Sequence, residues 1–252
     1  MTELLHDPRM TAMFGAMLLV YCRVQACILA MPGFSLPGLP ARIRIALAMA
    51  MTPLLAEGVA IPPVLNSIAW FGVACLAELV TGLALGMLVR LFSTALDVAA
   101  AAIAATASLS QLIGAATEYS PHPIGNLLHL AGLAVLMAMG FPLAVCELLR
   151  DSFALRAVGE WPQITTLLPV AIDMLWQGFL LALMLAAPFI LGGYLFQVLT
   201  GMISKVMPAL PVTFIAAPGA ILLALVALVL LAPATVSLWA QAVLSSMQQV
   251  LD

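Results

Sequence analysis

The sequence has 252 residues, of which 65% are hydrophobic and only 8% are charged. A soluble domain carries about 25% charged residues, and a soluble chain of this size has too much surface to hide so many apolar side chains. The composition argues against an ordinary soluble enzyme, and the net charge of −3 provides no basic surface for nucleic acid. We predict an all-α, multi-helix, membrane-associated protein that forms a single domain over residues 1–252.

Seven apolar segments follow one another along the chain, and most of them are long enough to cross a bilayer as helices. They are predicted at residues 10–31, 42–56, 66–89, 91–114, 124–146, 167–202 and 212–231. If each segment is counted as one membrane crossing, the chain is predicted to cross the membrane seven times. Because prolines and glycines separate or interrupt them, we expect hairpins and kinked helices. A kink is expected at Pro142, and breaks are expected at Pro188 and Gly192-Gly193.

Two stretches are more polar than the rest of the chain. Residues 147–163 contain several charged side chains and predict a solvent-facing connection. Residues 234–251 predict an amphipathic helix, because Val236, Trp239 and Val243 recur at three- and four-residue steps while serines and glutamines fill the other side. Such a helix lies on a membrane surface or packs on a partner.

Charged residues inside or beside the apolar segments are candidates for a special role, because a charge at the bilayer centre costs about 2.5–3.5 kcal/mol. These residues are Arg23, Glu78, Arg90, Asp97, Glu147 and Asp173. One interpretation is an ion or proton path, and the other is a set of ion pairs that fix helix register and subunit contacts. The acids and bases are scattered along the sequence, which favours the structural interpretation.

Gly82 and Gly86 form a small-x-x-x-small face in the third segment, which allows a second helix to approach closely. Patterns of catalysis or metal binding are lacking in the sequence. His122 and His129 are seven residues apart without a cysteine or acidic partner at metal spacing, and the cysteines lie in apolar runs. We therefore predict no catalytic residue, no metal and no cofactor.

Four stretches, taken in chain order, resemble the FliR family, the flagellar member of the R/T-type export-gate subunits of type III secretion. They are Arg23-Val24 followed by Met31–Ala48, then Glu78–Gly86, then Arg150–Phe153 with Gly159, and finally Gly201–Pro208 followed by Pro218. Each motif is short, but their order, their spacing and the total length fit the family together. The resemblance implies structural roles for Arg23 and Glu78, with Arg90 and Asp97 as candidate partners.

The resemblance also implies a gate. In the family, a loop lies across the export channel as a plug, and this loop corresponds here to Ser108–Pro123. The residues assigned to it are Ser108, Leu109, Ser110, Gln111, Leu112, Ile113, Gly114 and Pro121. Leu109, Leu112 and Ile113 are expected to seal the channel, and Gly114 is expected to let the loop move.

By the same resemblance, the chain is expected to be a core subunit of the flagellar type III export gate, packed in a helical hetero-oligomer. It is expected in the bacterial inner membrane, in the flagellar basal body, and not to be an enzyme. The expected partners are the P-type subunit FliP, the Q-type subunit FliQ, an FlhB-type switch subunit, unfolded flagellar substrates and membrane lipid. The alternatives are a small-molecule secondary transporter, the equivalent subunit of a virulence-type injectisome, and an intramembrane enzyme.

Overall fold

The computed structural model describes residues 8–35, 38–57, 59, 68–106, 123–207 and 212–249. Regular structure within these residues is entirely α-helical, which confirms the predicted all-α fold. The helices are α1 (Pro8–Ala30), α2 (Ala41–Ala56), α3 (Ile68–Thr106), α4 (Pro123–Ala138), α5 (Phe141–Leu155), α6 (Ile164–Val206) and α7 (Val212–Gln249).

Four of these helices, α1, α3, α6 and α7, are long and apolar enough to cross a membrane. The pair formed by α4 and α5 adds a fifth candidate if it is counted as one broken span. The prediction of seven crossings is therefore wrong for the described part of the chain. One reason is that helix α3 continues from the segment predicted at 66–89 into the segment predicted at 91–114 without a break. No glycine or proline separates Val89 from Leu91, so nothing in the sequence ends the helix there.

Prolines inside the apolar helices do not end them. Helix α6 continues through Pro188 and Gly192-Gly193, so the breaks expected there are wrong. Helix α7 likewise continues through Pro233 and joins the last apolar segment to the predicted amphipathic tail. A proline removes one backbone hydrogen bond, and a long apolar helix tolerates this loss because the turns on either side remain regular.

The break between α4 and α5 lies slightly earlier than the kink expected at Pro142. Gly140 adopts φ +95°, a backbone conformation that favours glycine, and Pro142 occupies the first turn of α5, where a proline fits. Helix α5 then continues to Leu155, so the first half of the polar stretch 147–163 is helical. Several of its apolar residues, including Leu148 and Leu149, form a buried face while its charged residues are exposed, which is why the stretch is not a simple loop.

The chain divides into two compact units. Unit 1 is formed by the described residues within 1–92, 140–175 and 243–252, and unit 2 by those within 93–139 and 176–242. The core of unit 1 includes Val24, Cys27, Phe141 and Leu149, and that of unit 2 includes Ile103, Leu128, Phe189, Leu228 and Val236. Helices α3, α6 and α7 contribute residues to both units. The single domain expected over residues 1–252 stays a prediction.

Candidate functional site

Arg23 is completely buried, although it lies in the middle of the apolar helix α1. Its guanidinium group contacts the carboxylate of Glu78 on α3, which is also 0% exposed. Nε donates to Oε2 at 2.5 Å, and Nη2 donates to Oε1 at 3.1 Å. Two-point, charge-assisted bonds of this kind are the strong class of hydrogen bond. The ion pair therefore joins α1 to α3 within unit 1.

The remaining N–H groups of Arg23 bind the backbone of α5 and of the turn after it. Nη1 donates to the carbonyl oxygen of Ser152 at 2.9 Å and to its Oγ at 3.4 Å. Nη2 also donates to the carbonyl oxygen of Arg156 at 3.5 Å. The ring centroid of Phe153 lies 4.1 Å from the guanidinium carbon, within the range of a cation–π contact. The five N–H donors of the guanidinium group can thus all be paired.

A backbone amide completes the surroundings of Glu78. The N–H of Gly159 donates to Oε1 at 2.7 Å. Gly159 has φ +90°, which glycine adopts at low cost, and this turn aims its amide at the carboxylate. We call this group of residues the Arg23 cluster; it comprises Arg23, Glu78, Ser152, Phe153, Arg156 and Gly159.

The stability of the Arg23 cluster depends on its being complete. Removing two charges from water costs several kcal/mol for each ion, and their attraction offsets this only when further hydrogen bonds satisfy the remaining donors and acceptors. Here Arg23 and Glu78 meet that condition. The cluster therefore selects one arrangement of α1, α3, α5 and the following turn.

Gly82 and Gly86 allow α1 and α3 to come close enough for this ion pair. A Cβ atom built on Gly82 would overlap the backbone carbonyl of Arg23, and one built on Gly86 would lie 2.6 Å from the carbonyl oxygen of Cys27. Because the two glycines are four residues apart, they lie on one face of α3. The two helices are thus in backbone contact over consecutive turns, as in small-x-x-x-small packing.

The other two charges assigned to structural roles lie outside the Arg23 cluster. In unit 1, Nη1 of Arg90 donates to Oγ of Ser35 at 3.1 Å. In unit 2, Oδ1 of Asp97 lies 2.7 Å from Nδ1 of His129 on α4. The structure therefore joins two of the four charges to each other and gives each of the other two a different partner.

The sequence matches the family described as bacterial export proteins, family 1, over residues 14–246. The chain belongs to this family. It is 29% identical over 225 residues to the flagellar biosynthetic protein FliR of Caulobacter vibrioides, covering 88% of this chain and 90% of the relative. It is 25% identical over 221 residues to FliR of Aquifex aeolicus, covering 86% of this chain and 85% of the relative. These matches confirm the prediction of a FliR-type flagellar export protein.

Three of the FliR-like motifs meet in the Arg23 cluster of this bacterial export protein. Arg23 comes from the first motif, Glu78 from the second, and Ser152 and Phe153 from the third, with Gly159 just after it. Sequence reasoning assigned structural roles to the first two residues and missed the contacts of the other three. The sequence signal for these contacts is the third motif, Arg150–Phe153 with Gly159, which indicates neither Arg23 nor Glu78 as the partner of its residues.

The predicted plug residues, Ser108–Gly114 and Pro121, lie outside the described residues, as does His122. Helix α3 ends at Thr106 and α4 begins at Pro123, so the assigned segment stands in the sequence between these two helices. The plug of this FliR-type chain stays a prediction.

Replacing Gly82 with alanine is expected to destabilise the protein by about 1–3 kcal/mol, because the added Cβ meets the backbone of Arg23 and forces α1 away from α3. Gly72→Ala on the same helix is the matched control, since a Cβ there meets nothing within 4 Å and alanine is the better helix former by roughly 1 kcal/mol. Thermal denaturation of the two variants in detergent checks this prediction. Equal midpoints would contradict the close approach of the helices.

Proposed function

We propose that this chain is a core subunit of the flagellar type III export gate, where it helps to form and to plug the channel that unfolded flagellar proteins cross. The observation that carries the proposal is the family match over residues 14–246, to which two FliR relatives add support. The chain acts by packing and gating and is not an enzyme. Its place is the bacterial inner membrane, within the flagellar basal body.

The lengths of the apolar helices support a role inside an assembly. The apolar stretches in α3, α6 and α7 are 35, 43 and 32 residues long, whereas about 20 residues cross the hydrocarbon core of a bilayer. Within an apolar window of 18 residues in each helix, only 22% of the residues of α6 and 17% of those of α7 are buried within the chain. A bilayer covers part of this apolar surface, and neighbouring subunits cover the rest.

The exposed surface of α6 combines many aliphatic side chains with several aromatic residues and methionines. Large side chains exposed on it include Trp176, Phe179, Met184 and Tyr194. Aromatic residues and methionine are enriched at protein–protein contacts. We assign this surface to contacts with FliP- and FliQ-type subunits and with membrane lipid, and we place an FlhB-type switch subunit on the cytoplasmic side of the same gate.

The segment Ser108–Gly114, together with Pro121, is the proposed plug. The side chains of Leu109, Leu112 and Ile113 close the channel, because an apolar constriction excludes water and ions without any chemical step. Gly114 provides the backbone freedom that the segment needs to move aside during export.

Co-expression with the FliP- and FliQ-type subunits of the same organism tests the proposal. After detergent purification, native mass spectrometry should find one copy of this chain in a complex with several copies of both partners. Omitting the P-type subunit is the control, and it should remove the chain from the large complex. A chain that purifies alone, as a folded monomer or homo-oligomer, would overturn the proposal and favour a small-molecule transporter.

A further inference from the structure

Four polar side chains lie together on the surface of unit 2, on helices that are otherwise apolar. Thr94 and Asp97 stand three residues apart on α3, and Asn126 and His129 stand three residues apart on α4. A spacing of three places both residues on the same side of their helix. Nδ1 of His129 lies 2.7 Å from Oδ1 of Asp97, so the two sides adjoin. We call these four residues the α3–α4 polar face.

Packing against α7 fixes α3 and α4 beside the polar face. A Cβ built on Gly132 of α4 would overlap a methyl group of Leu96 on α3 and would lie 3.2 Å from the ring of Trp239 on α7. Nε1 of Trp239 donates to the carbonyl oxygen of Ser93 on α3 at 3.2 Å. The polar face thus has a packed support, and its side chains remain uncovered by the described part of the chain.

Water suits the polar face better than lipid tails or a dry protein surface. The side chains of Asp97 and His129 are 51% and 36% exposed. Ionisable groups in apolar helices are costly in hydrocarbon and usually face protein or a water-filled cavity. Water solvates this pair whether His129 is neutral or protonated, whereas a dry partner surface would have to match one charge state.

The polar face lies near the two helix ends that flank the proposed plug. Helix α3 ends at Thr106, nine residues after Asp97, and α4 begins at Pro123, six residues before His129. At a rise of 1.5 Å per residue, these ends are about 14 Å and about 9 Å from the pair along the helix axes. The helices that enter and leave the plug segment therefore carry the polar face.

An unfolded polypeptide needs polar surroundings of this kind. Every residue of an extended chain other than proline carries a backbone N–H and a C=O, and each of these groups needs water or another hydrogen-bonding partner. The hydroxyl, carboxylate, amide and imidazole groups of the polar face supply both donors and acceptors. A wall of aliphatic side chains alone would supply neither.

We propose that the α3–α4 polar face lines the water-filled path of the gate beside the plug, where it hydrogen-bonds to the extended polypeptide in transit. This inference deepens the proposed function and rests on it, because it needs the chain to form part of an export channel.

Accessibility of a cysteine at Asn126 tests whether the face is wet. Asn126→Cys is made in a chain whose three partly exposed cysteines, Cys22, Cys75 and Cys146, are replaced by alanine. In the complete gate, reconstituted in lipid nanodiscs, a charged water-soluble methanethiosulfonate should label it at least about tenfold faster than Leu127→Cys. Leu127 is the matched control, because it is 62% exposed but turned by about 100° from Asn126.

An arrested substrate tests whether the wet face belongs to the export path. A flagellar export substrate fused to a tightly folded domain that cannot enter the channel should leave its extended part in the path and largely abolish labelling of Asn126→Cys. The same substrate without the folded domain clears the channel and is the control. Thr94→Cys on α3 should behave in the same way, and it serves as the second position if Asn126→Cys does not assemble.

The inference and the proposed function can fail separately. Equal labelling of Asn126→Cys and Leu127→Cys, or labelling that the arrested substrate leaves unchanged, overturns the inference while an assembled, exporting gate upholds the proposed function. An assembled gate in which neither Asn126→Cys nor Thr94→Cys reacts has the face covered by protein or lipid, which also overturns the inference. A wild-type chain that never joins a complex overturns both.

Discussion

Glu78→Gln is expected to destabilise the protein by about 3–5 kcal/mol, among the largest effects that a single substitution produces. The amide keeps the shape of the carboxylate, but it leaves the completely buried guanidinium group of Arg23 without a counter-charge. It also replaces one acceptor oxygen by an N–H donor beside the donors of Arg23 and Gly159. The denaturation midpoint of the purified protein in detergent should fall by about 10 °C.

Glu160→Gln is the matched control for this substitution. Glu160 follows Gly159 directly and is exposed, so the same chemical change should alter stability by no more than about 0.5 kcal/mol. Equal midpoints for Glu78→Gln and Glu160→Gln would show that the ion pair does not stabilise the fold.

The double variant Arg23→Met with Glu78→Leu distinguishes the destabilisation caused by an unpaired buried charge from that caused by lost packing and hydrogen bonds. Removing both ions should recover part of the stability lost in Glu78→Gln, because no uncompensated charge remains in the core. The recovery should be incomplete, because the amide of Gly159 then loses its acceptor and the carbonyl of Ser152 keeps only the backbone N–H of Arg156. A double variant less stable than Glu78→Gln alone would contradict this account.

The positions of the helices could be predicted from the sequence because long apolar runs and proline-rich turns are local signals. The run of prolines and glycines after Met31 separates α1 from α2 as expected. By contrast, the sequence around Pro188 and Gly192-Gly193 did not show whether the helix ends there, and the structure shows that it continues. A proline weakens one turn of a helix, and the turns on both sides decide whether the helix continues.

Some residues of the candidate site could be predicted from the sequence, but most of the contacts between them could not. Gly82 and Gly86 could be assigned to helix packing, since their spacing of four needs only helical geometry. The partner of Arg23 could not be derived in this way, because Glu78 is 55 residues away and several acids were available. The amide of Gly159 depends on a turn with positive φ, which a charge pattern does not reveal.

The second large effect is expected from the plug segment. Deleting Leu109–Gly114 should leave the gate assembled and make the membrane leaky to small ions and dyes, because the three apolar side chains that we propose close the channel are lost together. Dye uptake and loss of membrane potential in cells that express the complete set of gate subunits measure the leak. Replacing only Leu109, Leu112 and Ile113 by serine should produce the same leak at unchanged chain length.

The origin of the leak can be established by two comparisons. The same deletion in cells without the P-type subunit should not leak, because no channel assembles there. Native mass spectrometry of the deletion variant should find the complex at the wild-type level, since the Arg23 cluster, which stabilises the fold of the subunit, lies outside the deleted residues. If the deletion instead blocks assembly, and the few complexes that form remain tight to ions, the segment is a packing element and the plug assignment is wrong.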